Sequence, residues 1–201
     1  MGLSAISFAQ GPEEPAEETP QINFTLQDII KTPPEITKKE WEQIKAGKIL
    51  VRENKDGSLG GLGFTWAKVQ PKTVYQVATR YNQYTKFIPE SKKVEANQLN
   101  ENTYEVYAVY KSTWPFDDIF IDSINLHDPK NLRMAWRATR TNMKHGEGFW
   151  IIQPQDGGTL IFYQMSFDLN WIPRMIARPS SKERVYKVLE AVRDKSLNAT
   201  P

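Results

Sequence analysis

From Lys48 onward the apolar and polar residues alternate with a period of two, which predicts a sheet rather than a bundle. Residues 49–52 and 62–69 read as the first strands, with Asp56-Gly57 and Gly60-Gly61 as turns. Phe64 and Trp66 share one face of the second strand. Four further strands follow over 92–99, 103–111, 118–126 and 132–139, broken at Asn100-Glu-Asn102, Trp114-Pro115 and Asp128-Pro129-Lys130-Asn131. Two more, over 148–153 and 160–168, meet at Gly157-Gly158. The period changes to 3.6 in three places. Pro71 opens a helix over 73–81 with Val74, Val77 and Ala78 inward, and 84–89 forms a helical turn. The last helix covers 173–196, with Val185, Val188, Leu189 and Val192 as its buried stripe and a kink or break expected at Pro179.

Ahead of the sheet, residues 24–30 predict a short helix ended by Pro33-Pro34. Thr37 and Glu40 have the spacing of a capping box, and the helix they open runs through Trp41 and Ile44 to a stop at Gly47. This piece, 23–47, is expected to pack on the main domain through Trp41. The main domain is read as 48–197. Residues 1–22 are expected to be disordered, since 10–21 is rich in Pro and Glu and lacks aromatics.

Strand parity assigns the inner faces. Leu132, Met134, Trp136 and Ala138 alternate with Arg133 and Arg137, so the first set faces the long helix. Ile161, Tyr163, Met165 and Phe167 behave alike, as do Val106, Ala108 and Tyr110. Ser123 and Asn125 share parity with Ile119 and Ile121 and so point inward. These stripes can fill a core or line a cavity, and the pattern leaves both open.

Composition narrows the function classes. The 201 residues suffice for one domain with a sizeable core. A net charge of +2 gives no general pull toward nucleic acid, and none is expected as a partner. Without cysteine there is no disulfide, thiolate nucleophile or thiolate metal site. No apolar run approaches the ~18 residues of a membrane-spanning helix. The start of the chain is small and apolar, and Ser7-Phe8-Ala9 fits the end of an export signal, so a periplasmic or secreted location is one expectation and the cytoplasm another. With two histidines, His127 and His145, no triad or metal set is indicated, and no cofactor is expected. His127 beside Asp128-Pro129 reads as turn chemistry. Arg174, Arg178 and Lys182 fall at i, i+4 and i+8 beside apolar residues, a pattern that suits either a solvated helix face or transient contact with an anionic membrane surface.

The order of several motifs carries a resemblance. Gly148-Phe-Trp150-Ile-Ile-Gln-Pro154, Thr159-Leu-Ile-Phe-Tyr163, Asp168-Leu-Asn-Trp-Ile-Pro173 and a helix ending near Leu189-Glu-Ala-Val-Arg193 resemble the C-terminal half of START domains, within the START-like, Bet v 1-like and polyketide-cyclase-like superfamily. Trp114-Pro-Phe-Asp-Asp118 is similar to a family stretch in which Arg stands where Asp117 does here. Val74 to Pro89 is similar to the superfamily's first helix pair.

The resemblance implies an α+β helix-grip fold: a curved antiparallel sheet wrapped around a long C-terminal helix, with an internal hydrophobic cavity. It also implies that a lipid, sterol or similar molecule is bound there, and possible partners extend no further than that ligand and a transient membrane contact. The alternative is a cyclase- or dehydrase-like enzyme acting on a polycyclic or polyketide-type substrate in the same cavity. The expected wall residues are Phe64, Trp66, Met134, Trp136, Trp150, Tyr163, Met165 and Phe167, with Met175, Ile176 and Leu189 from the helix. Ser123 and Asn125, or alternatively the Tyr110 and Tyr163 hydroxyls, are expected to orient the ligand, and Met143, His145, Trp171 and Ile172 to form a gate. No catalytic residue stands out, and a monomer is expected.

Overall fold

One antiparallel sheet organises the chain. In the computed structural model, which describes residues 22–112, 118–169 and 174–199, its eight strands run in the order β1-β2-β8-β7-β6-β5-β4-β3. They are β1 (Leu50–Arg52), β2 (Leu59–Ala67), β3 (Ser91–Asn100), β4 (Thr103–Tyr110), β5 (Ile119–Asp128), β6 (Arg133–Thr141), β7 (His145–Gln155) and β8 (Gly158–Asp168). Each strand from β3 to β8 pairs with its sequence neighbours, so short connections suffice. The exception joins β2 to β8 and brings the two ends of the domain together. The chain crosses from β2 to β3 at the far edge of the sheet, and this connection contains α3 (Pro71–Ala78) and a 3-10 helix at Tyr81–Lys86.

The sheet is covered on both faces, which its alternating sequence permits because both parities contain apolar residues. The long helix α4 (Arg174–Leu197) and α3 pack on the concave face around Val74, Ile161, Val185, Leu189 and Val192. On the other face, α1 (Leu26–Ile29) and α2 (Lys38–Lys45) lay Ile29 and Ile44 over Phe64, Phe149, Ile151 and Phe162, with Trp41 at the margin. The α2 start is a complete capping box: Thr37 Oγ1 accepts from the Glu40 N–H at 3.3 Å, and Glu40 accepts from the Thr37 N–H at 2.9 Å. Arg52 on β1 adds a bidentate pair to Glu40, tying α2 to the sheet.

Three local readings are corrected. Gly60-Gly61 is no turn but part of β2; Gly60 has a φ of +97°, and a Cβ there would lie 2.1 Å from the Met165 carbonyl oxygen on β8. The glycine permits close approach of two strands, which from sequence looks the same as a chain reversal. His127 lies within β5, because that strand continues past Leu126 to Asp128. Of the kink or break expected at Pro179, the break is absent: α4 continues through it, with the Ser180 and Ser181 hydroxyls donating to the carbonyls of Ala177 and Arg178. Of the segment 1–22 expected to be disordered, residues 1–21 lie outside the described residues, as do the Trp114-Pro115 break and the Trp171-Ile172 lip of the gate.

Candidate functional site

The concave face does not close fully on α4. Between them lies an apolar chamber of about 90 Å³. Its floor follows from parity: Val106, Ala108 and Tyr110 on β4, Ile119, Ile121, Ser123 and Asn125 on β5, and Met134 and Trp136 on β6. Trp150 on β7 and Tyr163, Met165 and Phe167 on β8 continue it. Trp150 and Tyr163 are register partners whose rings stack at 4.3 Å and 27°, an arrangement worth about 0.5–1.5 kcal/mol beyond their buried area. Val188 and Arg184 of α4 form the lid, and Tyr81, Tyr84 and Ile88 close the end beside the 3-10 helix.

The uncharged polar side chains of the wall are bonded mainly to the protein itself. Ser123 Oγ donates to the Val106 carbonyl at 3.2 Å and accepts from Asn125 Nδ2 at 2.9 Å. Tyr84 donates to the Ala78 carbonyl, and Tyr163 to Met165 Sδ at 3.6 Å. Tyr81 Oη lies 2.7 Å from His127 Nε2. Burial pushes the hydroxyls of Tyr81, Tyr84, Tyr110 and Tyr163 above the usual phenol range, so all four are protonated at neutral pH. The same cause lowers His127 to about 4, which leaves it neutral there. Its ring lies 4.7 Å from that of Tyr104.

Arg184 is the one charged side chain on the chamber wall among the described residues. Its guanidinium sits 4.6 Å from the centre of the Tyr110 ring. Nη2 is shut off from solvent, has no hydrogen-bond partner among the described residues, and stands 3.6 Å from Glu90 Oε2. A vestibule of about 490 Å³ adjoins the chamber and shares Ile119, Phe167 and Arg184 with it.

The family follows from comparison with known proteins. Residues 68–193 match the model of the family described as polyketide cyclase / dehydrase and lipid transport. The chain belongs to that family. The match spans α3, the strands from β3 to β8 and most of α4, the parts that enclose the chamber. Solved structures share the helix-grip arrangement of an open curved antiparallel sheet and a long C-terminal helix. A STAR-related lipid transfer protein from Xanthomonas axonopodis superposes with a TM-score of 0.60 at 18% identity, covering 74% of this chain and 92% of that one. Human STARD10 gives 0.62 at 12% identity, covering 85% and 82%. The Zhui aromatase/cyclase from Streptomyces gives 0.51 at 16% identity, covering 68% and 87%. No curated protein matches the chain in sequence.

Within this family fold, the structure brings Tyr110, Ser123, Met134, Trp136, Trp150, Tyr163, Met165 and Phe167 onto one wall. Met143, expected at a gate, is buried on the same wall. Phe64 and Trp66 do not belong there. The parity of β2 turns them to the outer face, where Phe64 is fully buried in the layer under α1 and α2 and Trp66 packs against that layer. Gly61 and Gly63 alternate with them on the concave face. Leu189 is fully buried against Gly63, in core rather than chamber. Met175 and Ile176 point to solvent, at 83% and 63% exposure, and Ile176 borders the vestibule. His145 begins β7 with an exposed side chain, its Nδ1 4.0 Å from Asp168 Oδ2. The basic stripe on α4 is partly engaged, since Glu53 pairs with Arg178 at 3.0 Å and Lys182 at 2.6 Å.

Sequence reasoning did not assign Tyr81, Tyr84, Ile88, Arg184 or Val188 to the site. Val188 was legible from the helical stripe. A cation beside that stripe reads as solvent-facing, which concealed Arg184.

Proposed function

We propose that this chain binds a hydrophobic small molecule, such as a lipid or sterol, between the concave face of the sheet and α4, and transfers it. The observation that carries this reading is the chamber itself, an apolar space whose uncharged polar wall groups are bonded mainly to neighbouring protein atoms. Burial of apolar area supplies the drive, at ~25 cal/mol per Å² before the costs of association. The chamber's 90 Å³ is below the ~300–1,000 Å³ of typical ligand sites, so uptake requires the wall to yield. Met134, Met143 and Met165 suit that requirement, because an unbranched thioether repacks at low cost. Family membership and the lipid-transfer name of the Xanthomonas structure agree with this reading.

Native mass spectrometry of the purified protein, with and without added fatty acid, sterol or phospholipid, tests it. One lipid mass per chain is expected. Failure to take up any of the three classes sinks the proposal.

The exposed Met175 and Ile176 at the start of α4 support transient contact with a membrane surface, where the ligand is collected. Cosedimentation with anionic vesicles, reduced in a Met175→Asp, Ile176→Asp double variant, is the expected result.

A cyclase-like activity is the second reading, and the Tyr81–His127 pair favours it. Tyr81 lines the chamber and its hydroxyl bonds a neutral imidazole at 2.7 Å, which is a unit able to move a proton. Conversion of a polyketide-type substrate by the wild type, abolished in Tyr81→Phe, distinguishes it from simple binding.

A further inference from the structure

Arg184 occupies a boundary. Along α4, Ser180, Arg184 and Val188 stand four residues apart and therefore on one face. Val188 looks into the apolar chamber, Ser180 into the vestibule, and Arg184 borders both. The two spaces differ in character. The chamber offers aliphatic, aromatic and thioether surface, whereas the vestibule is also lined by Lys111, Lys187, Glu90 and Glu183. An elongated molecule occupying both would pass Arg184 at the change from apolar to polar.

The hydrogen bonding at that point is incomplete. Ser123, Tyr84 and Tyr163 all donate to protein atoms, but the buried Nη2 of Arg184 donates to none among the described residues. Glu90 lies nearest at 3.6 Å, too far for a hydrogen bond, and also pairs loosely with Lys187 at 3.4 Å. The guanidinium lies over the Tyr110 ring, its carbon 4.6 Å from the centroid, and its Nη2 is left for an acceptor. A planar fork of N–H donors matches a carboxylate or phosphate in a two-point contact. Lys111 and Lys187 add positive charge on the vestibule side.

We propose that Arg184 anchors an oxyanion head, and that the ligand is an amphiphile carrying one carboxylate or phosphate, its tail in the chamber and its head at the partition. This inference rests on the chamber being the ligand site and specifies the ligand class.

The test compares ligands of one chain length: hexadecanoate, hexadecyl phosphate, hexadecanol and methyl hexadecanoate. Each displaces a neutral solvatochromic dye from the full chain, below its aggregation concentration. In the wild type at least one of the two anions should bind about tenfold or more tighter than the alcohol and ester, as a charge-assisted bidentate contact requires. Which anion leads identifies the head. In Arg184→Gln the ratio of anion to alcohol affinity, read within the same variant, should fall to about one, and Arg184→Lys should retain part of the preference. Melting curves of both variants show whether the fold is intact, and binding of the neutral dye reports the chamber separately. Equal affinity of anion and alcohol in the wild type, or a preference that survives Arg184→Gln, overturns the anchor but leaves the apolar site standing. No binding of dye or any ligand removes both proposals.

Discussion

Gly63 lies directly beneath Val185: a Cβ on the glycine would come within 2.9 Å of Val185 Cγ1, and within 3.1 Å of Leu189 Cδ2. The grip of the sheet on α4 is therefore closest where β2 has no side chain. Gly63→Val should destabilise the fold by about 1–3 kcal/mol, the usual cost of overpacking, with Gly63→Ala at the lower end. A lowered Tm checks this, and an unchanged one shows that helix and strand are free to separate.

Trp150 and Trp136 should respond differently to truncation. Trp150 is 4% exposed and stacked on Tyr163, so Trp150→Ala should cost about 3–5 kcal/mol in denaturant unfolding. Trp136 is half-buried on the chamber wall, so its alanine variant should lose less stability and alter ligand uptake more. Equal losses would mean that both tryptophans act only as core.

His127 makes acid stability steeper. Its pKa is lowered by burial from 6.5 to about 4. Between those values the unfolded chain binds a proton that the folded chain excludes, so stability falls as pH drops from about 6.5 to about 4. The loss approaches roughly 3 kcal/mol for a shift of this size. In His127→Gln the pH dependence of unfolding should flatten in that window. An identical slope would show that other groups govern it.

Glu40 should matter for the N-terminal layer. It caps α2 and clamps Arg52, and those bonds bring its carboxyl down to about 2. Its contribution is present above 4.5 and is lost as pH falls through about 2. The pair is partly solvated, so Glu40→Gln should cost only about 1 kcal/mol, read as a shift in denaturant midpoint. Proteolysis near α2 should quicken in the variant while the chamber's ligand binding persists.

The legibility of this fold in its sequence depended on what alternated. β6 and β8 place Met134, Trp136, Tyr163 and Met165 on the concave face because charged or polar residues mark the opposite parity of one strand and part of the other. β2 inverted the expectation, since both faces are buried and glycine takes the inner positions, so Phe64 and Trp66 were the visible but outer set. Tyr81 and Tyr84 reach the site from a 3-10 segment that has no apolar period to read. Arg184 and His127 show the opposite limit: a polar residue signals surface or turn until the fold supplies a ring for it to lie against.

The layer formed by α1 and α2 gives the two sides of the sheet unequal freedom in time. It braces β7 and β8, through Phe149, Ile151 and Phe162, from the side opposite α4. Around Glu95, Tyr107, Asp122 and Arg140 the outer face of β3, β4, β5 and β6 instead borders an open groove. Amide protons in β7 and β8 should therefore exchange only through global unfolding, and those of β3 and β4 through smaller, faster openings. Breathing concentrated in the unbraced wall would let bulky cargo enter while the strands that hold the helix stay shut.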